Sequence, residues 1–364
     1  MLVTVVAGAR PNFMKISPII NAMRSAQAAG NPIEYRLVHT GQHFDRRMSA
    51  EFFLQLGIPE PDINLECGGG TQAEQTAAIM VSFERELLSN RPDVVLVVGD
   101  VTSTMACTIV AKKLELPVVH VEAGIRSGDI TMPEEINRIV TDSICDQFFT
   151  TTIQAGQLLK KSGIDAQRIH FVGNTMIDTL LQNLERLEKP AFWDECGLMD
   201  RNYFLLTLHR PANVDDTNKL TDYLTAILSG TGEMRVVFPV HPRTRGTLAT
   251  IKDLDERLIR IDPLGYLEFI YLLKNARAVI TDSGGITEEA TVLNIPCMTL
   301  RDSTERPETV EIGTNELVGT DPLSLAPYLE MVSIGNWKKG RVPELWDGHT
   351  SERIVGTLLR IYGD

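Results

Sequence analysis

The stretch AVITDSGGITEE, residues 278–289, reads as a buried strand that turns into a helix. Residues 278–281 are an apolar run of strand length, and Ser283, Gly284 and Gly285 make the turn. Ile286 then opens a helical pattern. Paired glycines let backbone approach a ligand with no Cβ in the way. A helix start offers unbonded N–H groups and the positive end of the macrodipole, which suits a phosphate. Glu288 and Glu289 follow within the first turns, where a carboxylate can accept from the two hydroxyls of a ribose. A nucleoside diphosphate satisfies all of these groups. A plain strand-to-helix turn with acidic residues favoured by the dipole is the other reading.

Outward from this stretch, short apolar runs alternate with helical periodicity along the whole chain. That alternation predicts parallel sheets with crossover helices, an α/β fold. Candidate strands are 2–6, 35–38, 94–98, 118–121, 148–150 and 169–172 in the first half. In the second half they are 204–208, 236–239, 258–261, 279–281, 297–300 and 316–318. The first long helix is expected over 17–28. A polar, proline-containing stretch, 184–202, separates the two strand series. The boundary is placed near Gly173, giving domains 1–173 and 174–351, with 175–187 as a connecting helix. The chain has 364 residues, which fits two domains.

A net charge of −13 argues against nucleic acid or an anionic membrane as partner. An anionic ligand must then be held by local cations. The five cysteines are scattered with no CxxC pair, which fits a reducing cytoplasm. Cys107, Cys145 and Cys297 sit in apolar contexts and are expected in the core. The opening MLVTVVAGARP lacks a basic leader and reads as a first strand rather than a signal peptide. No apolar run is long enough to span a bilayer.

Parallel sheets bind ligands beyond the carboxyl ends of their strands. The unusual polar residues fall there. Gly8, Arg10 and Lys15 follow the first strand, Gln42 and His43 the second, and Gly99-Asp100 the third. Glu122, Gly124 and Arg126 follow the fourth, with Glu134, Glu135 and Arg138 just beyond. His209-Arg210, His241 and Arg301 to Arg306 stand in the same way in the second half. Two readings of Asp100 stand, ligand-facing acid or helix N-cap. Glu122 is hard to explain as structure, because a lone buried carboxylate is costly. Of Glu134 and Glu135, at least one reads as helix-start chemistry. His209 and His241 at equivalent strand ends point to ligand contact, whereas His39, His120, His170 and His349 show no such context. No metal-binding spacing exists, and GxGxxG, P-loop and GxSxG motifs are absent, so no resident cofactor is expected.

The motifs in order resemble the non-hydrolysing UDP-N-acetylglucosamine 2-epimerases over nearly the whole chain. They are GARPNFMK (8–15), VGDVTSTMA (98–106), HVEAGIRSGD (120–129), MPEEINR (132–138) and VGNTMID (172–178). TLHRPANV (207–214), FPVHP (238–242), TDSGGITEEA (281–290) and RDSTERPETVEIGTNELVGTD (301–321) complete the series. The resemblance implies a glycosyltransferase-B-like fold, two Rossmann-like domains with an interdomain cleft, in which a C-terminal helix, here 352–361, packs back on the first domain. It implies that Ser283, Gly284 and Gly285 meet the diphosphate, Glu289 the ribose and Phe269 the uracil. His209, His241 and Arg306 join the binding set, with Arg10, Lys15, His43 and Arg138 approaching from the first domain. Asp100, Glu122 and Glu134 match the catalytic acids, with His209 beside them. A cytoplasmic homodimer is implied as well, feeding surface-polysaccharide synthesis.

The chain departs from the family pattern in places. Ala9 replaces a common threonine, and Asn12-Phe13 an acidic-apolar pair. Pro211 stands where many members carry a second arginine, and Leu264 where some have glutamine near the base. Relatives acting on 2,3-diacetamido glucuronic acid sugars share the GARP opening, so an epimerase of such a sugar is an alternative. The stretch GQHFDRRMSAEFF (41–53) departs from that of substrate-activated members, so such activation is not expected. A glycosyltransferase on the same scaffold leaves the acids over-provided. A hydrolysing epimerase lacks its local sequence here, and a mere sensor needs fewer acids.

Overall fold

The computed structural model describes residues 1–42 and 55–363. Two compact units divide the chain: Met1–Gln182 with Glu344–Asp364, and Asn183–Pro343. Each is a Rossmann-like unit, so the α/β class holds.

The first unit is built on a seven-stranded parallel sheet, β1 (Leu2–Ala7), β2 (Glu34–His39), β3 (Ile63–Asn64), β4 (Val94–Val98), β5 (Val118–Val121), β6 (Gln147–Thr150) and β7 (Ile169–Phe171). Their order is β3-β2-β1-β4-β5-β6-β7. The strands read as near-continuous Val and Leu because both faces are covered by helices. The chain reverses direction across the sheet between β1 and β4, which sets the switch point where such sheets bind ligands. The helices are α1 (Arg10–Ala28), α2 (Gln72–Ser89), α3 (Thr102–Lys113), α4 (Pro133–Ile144), α5 (Ile153–Lys161) and α6 (Thr175–Asn183).

Helix α1 begins at Arg10, not at residue 17 as the sequence suggests. Pro18 lies inside it, yet the helix runs through. A proline in a helix leaves the carbonyl four residues back without its N–H. That carbonyl is Met14, and the Thr179 hydroxyl of α6 donates to it. A partner from across the unit removes the cost that the local pattern predicts.

Helix α15 (Thr350–Tyr362) returns to this unit and packs on α1. Its start is capped from outside. The buried Asp178 carboxylate of α6 accepts from Thr350 N (3.1 Å), Ser351 N (2.7 Å) and Ser351 Oγ (2.7 Å). The helix's own preceding residue, His349, makes no side-chain cap.

Helix α4 is inside out. Glu135, Asn137, Arg138, Thr141 and Asp142 are buried, whereas Ile136 and Ile139 are 46% and 41% exposed. The usual amphipathic rule puts the apolar stripe inward. Here the inward face is given over to hydrogen bonds.

The second unit opens with α7 (Phe192–Glu195) and repeats the architecture with a six-stranded parallel sheet. Its strands are β8 (Tyr203–Thr207), β9 (Arg235–Pro239), β10 (Leu258–Ile261), β11 (Ala278–Thr281), β12 (Cys297–Thr299) and β13 (Asn315–Leu317), in the order β10-β9-β8-β11-β12-β13. Its switch point lies between β8 and β11. The further helices are α8 (Pro211–Val214), α9 (Thr217–Gly230), α10 (Pro242–Leu248), α11 (Tyr266–Asn275), α12 (Gly284–Val292), α13 (Pro307–Glu311) and α14 (Leu325–Ser333). Phe204, Leu206, Tyr223, Ile227, Phe238 and Ile280 lie in its core. Cys107, Cys145 and Cys297 are buried, as their apolar contexts predict. Among the described residues no helix is long and apolar enough to cross a membrane.

Candidate active site

In the first unit the acids stand at the ends of adjacent strands. Asp100 follows β4 and Glu122 follows β5. Glu122 holds a left-handed backbone, φ 72°, which a residue with a Cβ adopts only under constraint. The constraint is visible: Glu122 N and Ala123 N both donate to the Phe149 carbonyl at 3.0 Å. The Glu122 carboxylate is ion-paired with Lys15 Nζ of α1. That pair answers the cost of burying a carboxylate. Gly99 also has positive φ, 68°, and a Cβ there would come 3.2 Å from Lys15 Nζ and 3.7 Å from Glu122 Oε2. Glycine thus lets the β4 turn close over the pair.

Asp100 is clamped by α4. Arg138 Nη2 donates to its Oδ2 (2.5 Å), and Asn137 Nδ2 donates to its carbonyl (2.8 Å). The N-cap reading of Asp100 therefore falls away. The residue before α3 is Val101, with no side-chain cap, and Gln42 Oε1 accepts from Ser103 N (3.0 Å) instead. Arg138 also donates to Glu135 (2.9 Å), so its guanidinium bridges two carboxylates. Glu135 accepts further from Ser127 N and Oγ and from Gly128 N. It is the structural member of the acidic pair, and Glu134 is left half-exposed. Asn12, at the family's acidic position, accepts from Gly8 N and Ala9 N (both 3.1 Å) and donates to the Val98 carbonyl (3.0 Å). A carboxylate could do the first but not the last. Arg10 opens α1, but its side chain lies outside the described residues, and so does His43.

In the second unit the switch point is organised by Asp282, fully buried between β11 and α12. It accepts from His209 N (3.1 and 3.0 Å), Arg210 N (2.9 Å), Asn213 Nδ2 (3.2 Å) and His209 Nδ1 (2.8 Å). Burial opposes ionisation, yet the bond from His209 holds its carboxyl below the ordinary range. With Nδ1 so engaged, His209 presents Nε2 outward, its side chain 41% exposed. The His241 ring lies 5.5 Å from that of His209. His241 Nδ1 accepts from Arg243 N (3.2 Å), leaving Nε2 to donate. Burial, then the neighbouring His209, push its pKa down.

Ser283 precedes α12 and its side chain makes no cap. Neither Gly284 nor Gly285 has a positive φ, and a Cβ at Gly285 would meet nothing within 4 Å. The fold does not require these glycines, although each weakens a helix by about 1 kcal/mol. Arg301 Nη1 lies 3.7 Å from the place a Gly284 Cβ would take. Arg306 is buried and pairs through Nε with Glu288 (2.6 Å). Glu289 is buried outright, with Oε1 unpartnered among the described residues. Burial pushes its carboxyl up to about 7, the Tyr266 hydroxyl pulling the other way. Phe269 lies half-buried on α11.

The two units thus differ in how their helix starts are used. In the first, side chains of the chain itself occupy them: Asn12 on Gly8 and Ala9, Gln42 on Ser103. In the second, Ser283 gives the start of α12 no side-chain cap. Asp282 and Gln42 carry no assigned role in the sequence reading, and their side-chain partners lie 60 or more residues away. Among the described residues no group of three or more His, Cys, Asp or Glu side chains is placed to hold a metal ion.

A family model described as UDP-N-acetylglucosamine 2-epimerase matches residues 26–359. The chain is 42% identical to the UDP-N-acetylglucosamine 2-epimerase of Methanocaldococcus jannaschii, covering 98% of this chain and 99% of that protein. The crystal structure of the M. jannaschii enzyme in complex with UDP-GlcNAc and UDP superposes with a TM-score of 0.87 at 41% identity, over 99% of this chain and 100% of that one. The UDP-2,3-diacetamido-2,3-dideoxy-D-glucuronate 2-epimerase of Pseudomonas aeruginosa is 43% identical, over 88% of each chain.

Proposed function

The chain belongs to the UDP-N-acetylglucosamine 2-epimerase family, and on that premise we propose that it interconverts UDP-N-acetylglucosamine and UDP-N-acetylmannosamine. The second unit holds the UDP. The N–H groups at the start of α12, with Ser283, Gly284 and Gly285, take the diphosphate, and Arg306 adds positive charge, with His209 in the same binding set. Glu289 and Phe269 serve the ribose and uracil. The first unit supplies the acids.

The chemistry accounts for why acids are needed. No carbonyl adjoins carbon 2 of the sugar, so its hydrogen is not acidic enough for simple inversion. Epimerisation proceeds by elimination. A carboxylate takes the carbon-2 proton, the electrons of that bond form the carbon 1–carbon 2 double bond, and the carbon 1–oxygen bond breaks to release UDP. A 2-acetamidoglucal remains. UDP then adds back at carbon 1 while carbon 2 receives a proton on its other face. Two acid/base groups and a cationic cradle for the departing diphosphate are required. Asp100 and Glu122, with Glu134 as a third candidate, are the groups, and Arg10 and Lys15 add cations.

The observation that carries this reading is the pair of acids at the ends of neighbouring strands, each set against a fixed cation: Asp100 on Arg138, Glu122 on Lys15. The expected result with UDP-N-acetylglucosamine in deuterated water is UDP-N-acetylmannosamine labelled at carbon 2. Product formed without label would sink the elimination route. Because the P. aeruginosa relative is 43% identical, though over 88% of the chain against 98% for the M. jannaschii one, a 2,3-diacetamido glucuronate sugar is the second substrate to assay. Faster turnover of it would assign the chain to that sugar.

A homodimer is part of the reading, supported by the outward Ile136 and Ile139 of α4, which suit a second copy. A cytoplasmic place is supported by the five free cysteines, and surface-polysaccharide synthesis by the product sugar itself.

A further inference from the structure

His120 lies two residues before Glu122 and is 1% exposed. Its ring faces two oxygen acceptors. Nε2 donates to the Gly99 carbonyl (2.8 Å) and Nδ1 donates to Asp142 Oδ1 (2.7 Å). A carbonyl and a carboxylate can only accept, so both ring nitrogens carry hydrogen. The other oxygen of Asp142 accepts from Gly124 N (3.1 Å) and Arg126 Nη1 (2.6 Å). Glu122 is therefore bracketed on both sides. His120 before it, and Gly124 and Arg126 after it, all converge on one carboxylate of α4. The Gly99 carbonyl, held by the same imidazole, belongs to the residue immediately before Asp100.

Resting on the proposed reaction, we propose that the buried His120–Asp142 pair, with a proton on each ring nitrogen, is the positioning element that fixes Asp100 and Glu122 relative to each other.

Packing alone is a poor reason for such a pair. A buried ion pair seldom holds a core better than apolar residues of the same size. This one spans the two loops that carry the acids and reaches them from a single helix. Burial works against ionisation of Asp142, while His120 and Arg126 hold its carboxyl below the usual range. The neighbouring α4 residues Asn137 and Arg138 grip Asp100 itself. One helix face thus holds both acids, which explains why α4 turns polar residues inward. A displacement of either acid by about an ångström is enough to lower turnover on the order of a hundredfold.

The test uses the full chain with Asp142→Asn and His120→Gln. Asparagine keeps the size and an acceptor but loses the charge, and glutamine keeps one donor. The expected result is a fall in kcat of about a hundredfold, with KM for the UDP-sugar and the Kd for UDP unchanged, because UDP is held by the second unit. Equal losses in UDP binding and turnover would overturn the proposal, as would folded variants with full kcat. Nitrogen-15 NMR of the wild-type histidines gives a readout that does not depend on any variant folding. The ring of His120 is expected to show two protonated nitrogens, and a signal for one bare nitrogen would overturn the proposal. A wild-type protein that exchanged no carbon-2 hydrogen would sink the proposed reaction while leaving the NMR result to stand.

Discussion

Asp100 and Glu122 are each tied to a cation within their own unit, while most of the groups proposed to bind the diphosphate belong to the other. Asp100→Asn and Glu122→Gln are accordingly expected to lower kcat by about 10²–10⁴-fold, with UDP affinity unchanged by titration calorimetry. Glu289 is a different kind of acid. Its pKa is raised to about 7 from an ordinary 4.5. The folded form therefore holds that proton more tightly than the unfolded chain does. The resulting stability is complete below about 4.5 and lost as pH rises through about 7. Glutamine stays neutral throughout, so Glu289→Gln is expected to gain on the wild type as pH rises, by as much as about 3 kcal/mol above pH 7. Denaturation at pH 5 and pH 8 checks it, and a gap that does not widen with pH would refute it. These residue roles were unevenly legible. Asp100, Glu122 and His209 stand out in sequence because polar residues directly after apolar strands are conspicuous. His120 does not. It sits inside the apolar run of β5 and resembles a core histidine until Asp142, 22 residues on, is brought to it.

At the scale of elements, period and punctuation carried the reading well, since every candidate strand has a counterpart within a residue or so. The two-residue β3 was missed because so short a strand has no period. The start of α1 was placed too late; Pro18 lies inside the helix, and the compensating hydroxyl of Thr179 comes from α6. The start of α12 yields the sharpest prediction for an element. Gly285→Ala meets no steric obstacle within the fold and is expected to stabilise it by about 0.5–1 kcal/mol. The same methyl would crowd the diphosphate, so UDP affinity should drop by about tenfold or more, which is on the order of 1.4 kcal/mol. Opposite signs in melting temperature and affinity are the check. Parallel changes would mean that the space beside Gly285 is not a ligand's.

For the whole molecule, the two strand series and the break between them were visible in the sequence, because a Rossmann-like sheet is a string of repeated βα units. The outward face of α4 was not read from its pattern, since an inverted stripe has the same periodicity as an ordinary one. If that face pairs with a second copy, Ile136→Asp with Ile139→Asp yields a monomer by light scattering, and a variant that remains a dimer places the interface elsewhere. The first unit is also discontinuous. Asp178 waits for Thr350 and Ser351, and every residue of the second unit lies between them in the chain. A ribosome emits residues in order, so the contiguous second unit has all its parts before the first does. Until α15 has been emitted, the face of α1 that it packs on lacks that cover.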